Sequence, residues 1–253
     1  MANPNPQNVS SIMATITPGN WPPATDASAI SPDDLNDRLA DAARYAVLCR
    51  IMPVLRHDVA GSMQPVRMLL MVLERRVQIA DPDMEAIAKS VASMSTLTKQ
   101  ATVDMMSALG WMASNEDIPV SLRSSVDEAS KLLALELSTN ALALVNGIAD
   151  DAATASQSFL RSVFMGAVLA FCDQRVSGGT LQVTFDAATR GSQQPDQLQL
   201  RMLPDDAGKS PAPLDDGRKC RAIGWPDVQA MAQSCGVQMA RGDGWLTLDL
   251  PKP

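Results

Sequence analysis

The sequence predicts an α+β protein in which a helical hairpin precedes an α/β sandwich. Three observations lead to this prediction. Two long stretches repeat apolar residues at spacings of three and four, and a short polar break separates them. The pattern then changes to apolar–polar alternation mixed with shorter amphipathic segments. Aromatic residues make up only 4% of the chain while Ala, Leu and Met are plentiful, which favours helices over a β-sandwich.

The N-terminal part divides into an arm and a hairpin. Residues 1–31 cluster Pro, Asn, Ser and Thr without periodicity, so we expect a mobile arm. Ser31 is the predicted N-cap of the first helix, and Asp81-Pro82 ends it before a second helix begins. Residues 32–112 are therefore predicted to form one domain. Its apolar seams are Leu48, Met52, Leu55, Val59, Met63, Val66, Leu70, Leu73 and Val77 on the first helix, and Met84, Ile87, Val91, Met94, Thr98, Ala101, Met105 and Ala108 on the second.

Two helices cannot enclose a core alone, so the seams need a partner. A second copy of the chain would complete a four-helix bundle, and we expect a homodimer. Pro53 and Pro65 interrupt the first helix and predict local bends, either as an accident of packing or as a flexible joint.

Residues 113–253 are predicted to form a second domain after a proline-containing linker. Helices are expected at 121–138, 153–174 and 224–236, and strands at 141–148, 178–189, 196–203 and 244–251. The expected arrangement is a mostly antiparallel sheet covered by helices on one face.

Composition excludes several kinds of partner. With 21 basic and 28 acidic residues the net charge is −7, so neither a nucleic-acid surface nor a polybasic membrane patch is expected. No apolar run is long enough to span a bilayer and no signal peptide is apparent, so we expect a cytoplasmic protein. Four scattered cysteines and a single histidine give no zinc-binding pattern, and no metal site is predicted.

His57 is the only histidine of the chain and the candidate reacting group. At 100° per residue it lies on the side of the helix opposite Leu55 and Val59, so we expect it to be accessible. A neutral imidazole, which predominates near pH 7, is a good nucleophile for phosphoryl groups. Asp58 could accept a hydrogen bond from the second ring nitrogen and orient the ring, and Gly61 leaves room for an incoming partner.

The stretch "LRHDVAGSMQPVRMLLMVLERR" resembles the H-box helix of bacterial histidine kinases, in which an acidic residue follows the phosphoacceptor histidine. The hairpin is similar to the dimerisation and histidine-phosphotransfer domain of that family. "EDIPVSLRSSVDEASKLL" and "AIGWPDVQAMAQSCGVQMARGDGWLTLDLP" are similar to the beginning and end of its Bergerat-type ATP-binding domain. The resemblance extends over about residues 40–251 and implies that architecture here.

Residues 159–174 depart from this family, because active kinases carry Mg²⁺- and phosphate-binding asparagines there. Here Gly166 and Ala170 stand near those places and no asparagine is present. The adenine motif is reduced to Asp206 and Gly208, the lid at 208–219 is short, and the bulky Trp225 follows Gly224. We infer a degenerate domain without ATP binding and without an intrinsic cofactor.

What remains resembles the dimeric histidine phosphotransferases of the ChpT type. The resemblance implies that His57 takes a phosphoryl group from the aspartate of one response-regulator receiver domain and passes it to another, with Mg²⁺ supplied by the receiver. A non-enzymatic pseudokinase that binds response regulators and a weakly active histidine kinase stay open as alternatives. The expected partner-binding residues are Arg56, Gly61, Ser62, Gln64 and Met68.

Overall fold

The computed structural model describes residues 31–111, 118–149, 153–174, 178–188, 194–204 and 220–250. The chain divides into two compact units, Met1–Leu35 and Asn36–Pro253. The predicted arm, apart from residue 31, and the predicted lid lie outside the described residues, as do Asp206 and Gly208. The predicted domain boundary at residue 112 stays a prediction.

The two long helices begin and end where local sequence predicts. Helix α1 (Pro32–Val77) starts at Ser31, whose Oγ accepts a hydrogen bond of 3.0 Å from the Asp34 amide. Helix α2 (Met84–Gly110) starts at Asp83, whose carboxylate accepts a 3.0 Å bond from the Ala86 amide. The six residues between the helices contain the predicted break, and the helical hairpin is confirmed.

The second half alternates short strands and helices, as predicted, and adds elements that the sequence patterns did not indicate. The added elements are strands β1 (Pro119–Ser121) and β3 (Thr154–Ser156), which pair antiparallel, and strand β6 (Gln238–Gly242). The helix expected at 121–138 is divided into α3 (Leu122–Leu132) and α4 (Ala134–Thr139). The remaining elements are β2 (Leu142–Asn146), α5 (Gln157–Phe159), α6 (Met165–Asp173), β4 (Gly179–Asp186), β5 (Asp196–Pro204), α7 (Trp225–Ser234) and β7 (Trp245–Leu250).

The main sheet has the strand order β2-β4-β5-β7-β6. Only the β2–β4 pair is parallel, so the predicted mostly antiparallel sheet is confirmed. Alternate residues of the three central strands are fully buried, and their leucines and valines form one core with α6 and α7. These residues are Leu181 and Val183 of β4, Leu198 and Leu200 of β5, and Leu246 and Leu248 of β7.

The first half of α1 belongs to this same core. Its small and branched residues Ala43, Val47 and Ile51 are almost completely buried, and they join the residues of the sheet and of α6 in one cluster. Alanines in this stretch let the helix axis approach its neighbours closely. The sequence pattern assigned this stretch to the hairpin alone, and its burial against the second half was not predicted.

The remainder of α1 pairs with α2 as a hairpin in which the heptad positions alternate in exposure. Val59, Val66 and Leu73 are half-buried, whereas Met63, Leu70 and Val77 are exposed. On α2, Ile87, Met94 and Ala108 are half-buried and Ala101 is buried, whereas Met84, Val91 and Met105 are exposed. We call the exposed set Met63, Leu70, Val77, Met84, Val91 and Met105 the open stripe. Within the described ranges, no helix has both the length and the apolar character needed to cross a membrane.

Candidate functional site

The candidate reacting residue lies where α1 leaves the core. Leu55 is buried, and two residues later the His57 side chain is 86% exposed. Leu55 faces inward because it continues the buried positions Val47 and Ile51 at helical spacing, and His57 is therefore carried to the opposite side. The exposure of His57 is as the sequence predicts.

Asp58 is next to the imidazole ring in space as well as in sequence. Its Oδ1 lies 3.3 Å from His57 Nδ1, and its side chain is 63% exposed. Because an ionised carboxylate only accepts hydrogen bonds, we assign the ring proton to Nδ1. Nε2 then carries the lone pair. The arrangement presents a nucleophilic nitrogen on the exposed side of the helix.

Two prolines flank this turn without ending the helix, which runs unbroken through Pro53 and Pro65. Proline has no amide hydrogen, so neither donates to the carbonyl four residues earlier. For Pro65 that carbonyl belongs to Gly61. A Cβ built on Gly61 would meet no atom within 4 Å, so the surface one turn after His57 is open.

The other predicted partner-binding residues lie within three turns of His57 on α1. His57, Gly61, Gln64 and Met68 fall on one side of the helix at spacings of four, three and four, and we call them the His57 face. All four are exposed, Met68 to 62%. Arg56 is exposed beside this face, whereas the hydroxyl of the half-buried Ser62 donates a 3.0 Å bond to the Val59 carbonyl. Ser62 is thus already engaged within the helix.

A buried charged group two turns before His57 fixes α1 to the second half of the chain. The Arg50 side chain is 3% exposed, and its Nη2 donates to Glu136 Oε2 at 2.6 Å. Its Nη1 donates to Asp173 Oδ2 at 3.0 Å, and that oxygen also accepts the Ile223 amide at 2.8 Å. We call Arg50, Glu136 and Asp173 the Arg50 cluster.

Burial alone lowers the pKa of Arg50, but its hydrogen bonds to Glu136 and Asp173 outweigh that effect and raise the pKa above its usual value. These hydrogen bonds therefore favour the charged form of the guanidinium. Sequence reasoning did not find this cluster. The available signal was an arginine between Val47 and Ile51, within a run of residues that are otherwise small or apolar.

Two residues predicted from the sequence to stand in place of nucleotide-binding asparagines lie inside the core. Gly166 and Ala170 are fully buried on α6, and a Cβ added to Gly166 would lie 2.4 Å from Met231 Cε of α7. This helix face packs against α7. Neither Gly166 nor Ala170 has a side-chain oxygen that could hold a cation.

The N-terminus of α7 is occupied by a carboxylate of the same helix. Asp227 accepts a 2.8 Å bond from the Gly224 amide and pairs with Arg221 at 2.9 Å. Trp225 is buried and meets Phe171 edge to face, with ring centroids 5.0 Å apart. A helix N-terminus that already holds an anion is a poor site for a phosphate.

Comparison with known proteins gives structural likeness only. No protein-family model matches the chain, and no curated protein matches its sequence. The histidine kinase AdeS of Acinetobacter baumannii is similar with 12% identity and a TM-score of 0.40, over 74% of this chain and 96% of that one. A bacterial phosphotransferase is similar with 13% identity and a TM-score of 0.34, over 82% of this chain and 95% of that one.

The histidine kinase ThkA, solved in complex with the response regulator protein TrrA, is similar with 10% identity and a TM-score of 0.38. That similarity covers 83% of this chain and 63% of ThkA. Likeness at this level establishes neither a family nor an activity. Function therefore has to be argued from the residues of this chain.

Proposed function

We propose that this protein is a cytoplasmic histidine phosphotransferase of a two-component phosphorelay. His57 Nε2 attacks the phosphorus of a receiver phospho-aspartate, the P–O bond to the aspartate breaks, and the carboxylate leaves. The phosphoryl group then moves from Nε2 to the aspartate of a second receiver, which restores the neutral imidazole. Asp58 holds the Nδ1 proton and stabilises the positive charge that develops on the ring during each step.

The observation that carries this proposal is the exposed His57–Asp58 pair on a helix whose preceding turns are buried. A histidine that is 86% exposed contributes little to packing, and a carboxylate 3.3 Å from Nδ1 gives the ring a preferred tautomer. Arg50 anchors the helix seven residues earlier, a rise of about 10 Å along its axis. The nitrogen is therefore presented in a fixed position to a partner from solution.

The phosphoryl source in this proposal is a partner protein. Support comes from the packed face around Gly166 and from Asp227 at the N-terminus of α7, which leave little place for nucleotide phosphates. The Mg²⁺ that phosphoryl transfer needs would be held by the receiver's own carboxylates. We propose the His57 face, with Arg56 and Ser62 beside it, as the receiver-binding surface.

We also propose that the protein acts as a homodimer joined through the open stripe. Each helix of the hairpin carries two apolar positions per heptad. One of these positions is half-buried or buried within the chain, and the apolar residues at the other position form the exposed open stripe. A second hairpin would bury these residues and complete a four-helix bundle. Every apolar residue of the open stripe is at least 42% exposed in the single chain.

A phosphotransfer assay tests the function. A receiver domain carrying labelled phospho-aspartate is mixed with the protein in the absence of ATP, and label on the protein is followed over time. We expect acid-labile label on the wild type and none on His57→Ala, while Asp58→Asn transfers more slowly because the tautomer is no longer fixed. Glu74→Gln, which changes another exposed polar residue of α1, is the matched control and should transfer normally.

The same assay separates the alternatives. Labelling of the wild type by ATP and Mg²⁺ alone would identify a kinase and overturn the proposal. Equal labelling of wild type and His57→Ala would also overturn it. Binding of the receiver without any transfer, unchanged in His57→Ala, would identify a non-enzymatic interaction module.

A further inference from the structure

A cavity of about 150 Å³ lies beside the C-terminal end of α2, far along the chain from His57. Part of its wall is apolar and is formed by Val120, Leu160 and Met165. The polar part includes Ser125, Gln157 and Arg161. Cavities of this volume accommodate a molecule about as large as benzene.

Arg161 brings a positive charge to this cavity from an unusual helical segment. Residues Leu160–Phe164 form a π-helical segment between α5 and α6, and such segments are frequent at functional sites. The Arg161 guanidinium stacks 4.7 Å above the Trp111 ring and donates a hydrogen bond to the Gly110 carbonyl. This contact engages one of its five N–H donors.

The charge of Arg161 is incompletely neutralised. Partial burial lowers the pKa of Arg161, and the negative charge of Glu128 offsets that effect only in part. Within the described ranges no carboxylate lies close enough to Arg161 to form an ion pair. A partly desolvated cation without a paired anion gains from an anionic ligand.

Two further polar side chains of the wall are available to a ligand. Ser125 and Gln157 are half-buried, and neither side chain makes a hydrogen bond among the residues that the structure describes. A half-buried hydroxyl and amide are stabilised when a partner satisfies them. Together with Arg161 they provide donors next to an apolar wall.

We propose that this cavity binds a small organic carboxylate. The carboxylate would accept hydrogen bonds from Arg161, Ser125 and Gln157, and a short aliphatic group would lie against Val120, Leu160 and Met165. The apolar wall favours such a ligand over a bare inorganic anion, which would leave the apolar surface unused.

Glu128 gives the proposal a specific prediction, because its carboxylate also lines the cavity. It accepts a 3.3 Å bond from Trp111 Nε1 and repels a second carboxylate nearby. Replacing Glu128 with Gln keeps the shape and removes the charge. Binding of an anion should then become tighter, whereas binding of a neutral molecule should not change.

The test is a calorimetric or NMR titration of the full chain with butyrate, in parallel with 1-butanol and inorganic phosphate. We expect saturable butyrate binding with a Kd of roughly 0.1–10 mM, as is usual for a ligand of this size. Arg161→Gln should weaken it about ten- to hundred-fold, and Glu128→Gln should tighten it. His57→Ala should bind like the wild type, so the outcome is independent of phosphotransfer.

Arg161 also holds the end of α2, so Arg161→Gln could weaken binding by destabilising the fold. Ser125→Ala is therefore the second variant. It should weaken butyrate binding without changing the melting temperature by more than a few degrees. Three results would overturn the proposal. They are no saturable butyrate binding, equal binding of butanol, and phosphate binding tighter than that of butyrate.

Discussion

The two halves of α1 are similar in sequence pattern and opposite in environment. In the first half the apolar positions, such as Val47 and Ile51, are completely or almost completely buried among residues of the sheet and of α6. In the second half Met63 and Leu70, at the same helical periodicity, are 47% and 44% exposed. One helix therefore has a buried part and an open part, and His57 lies between them.

The difference teaches that one amphipathic pattern can perform two tasks. In the first half the buried side contains alanines and Arg50, and Arg50 is hydrogen-bonded to the carboxylates of Glu136 and Asp173. These contacts fix this part of the helix to the core. In the second half the open stripe includes Met63, and a flexible thioether side chain suits a surface that meets another protein. The proposed receiver-binding and dimer surfaces lie on the open part, and the position of that part depends on how the first half is fixed.

Removing the anchor should have the largest effect. Arg50→Ala removes a cation that pairs with both Glu136 and Asp173, and loss of one partner of a buried ion pair costs about 3–5 kcal/mol. Urea denaturation would measure the free energy of unfolding. Arg56→Ala, at an exposed position less than two turns later, should change it by less than about 0.5 kcal/mol. Similar values for both variants would contradict the assigned role of Arg50.

The next largest effect should come from truncating an apolar residue in the first half of α1, and the same change in the second half should cost less. Ile51→Ala creates a cavity at a fully buried position and should destabilise the protein by about 2–5 kcal/mol. Met63→Ala should cost less than about 1 kcal/mol at low protein concentration, because its side chain is half exposed. Thermal and urea unfolding of both variants would check this order, and a reversed order would refute the division of α1.

A charge on the open stripe should change assembly more than folding. Leu70→Glu places a carboxylate in the proposed dimer interface and should raise the dimer dissociation constant at least ten-fold, or about 1.4 kcal/mol. Sedimentation velocity over a concentration series would measure it. Arg75→Ala, an exposed position outside the open stripe, should leave the dimer intact. A wild-type chain that stays monomeric at high concentration would exclude the proposed interface.

The smallest effect should come from a matched pair of glycines. Gly61→Ala adds a Cβ into open space within a helix and should stabilise the fold by about 0.5–1 kcal/mol. Gly166→Ala places the same atom 2.4 Å from Cε at the flexible end of Met231, which has to move, so it should stabilise the fold less than Gly61→Ala or not at all. Denaturation midpoints would give the difference between the two variants. Gly61→Ala should also slow phosphotransfer if the receiver approaches there.

Local signals in the sequence were sufficient for much of the fold. Ser31 and the Asp81-Pro82 break marked the helix ends because capping and proline chemistry act within a few residues. Alternation identified β4, β5 and β7, since one face of each strand is buried. The exposure of His57 followed from helical phase, and Asp58 is its neighbour in the chain.

Features that depend on distant parts of the chain were not predictable in this way. Glu136 and Asp173 lie 86 and 123 residues from Arg50 along the chain, and no periodicity links the three. β1 and β3 have three residues each, too few to show alternation. The sequence also did not predict that the first half of α1 is buried against the second half of the chain, because the same apolar seam fits a helical bundle and a mixed core equally well.

The Arg50 cluster has a kinetic consequence under the proposed function. With the imidazole held about 10 Å from its anchor, the protein has a single place at which to meet a receiver on each copy of α1. Donor and acceptor must then use that place in turn, so transfer follows ping-pong kinetics and each receiver inhibits the other by competition. Because a shared catalyst changes the rate of transfer and not its equilibrium, the direction of flow then depends on the abundance, the phosphorylation and the phospho-aspartate free energies of the two receivers.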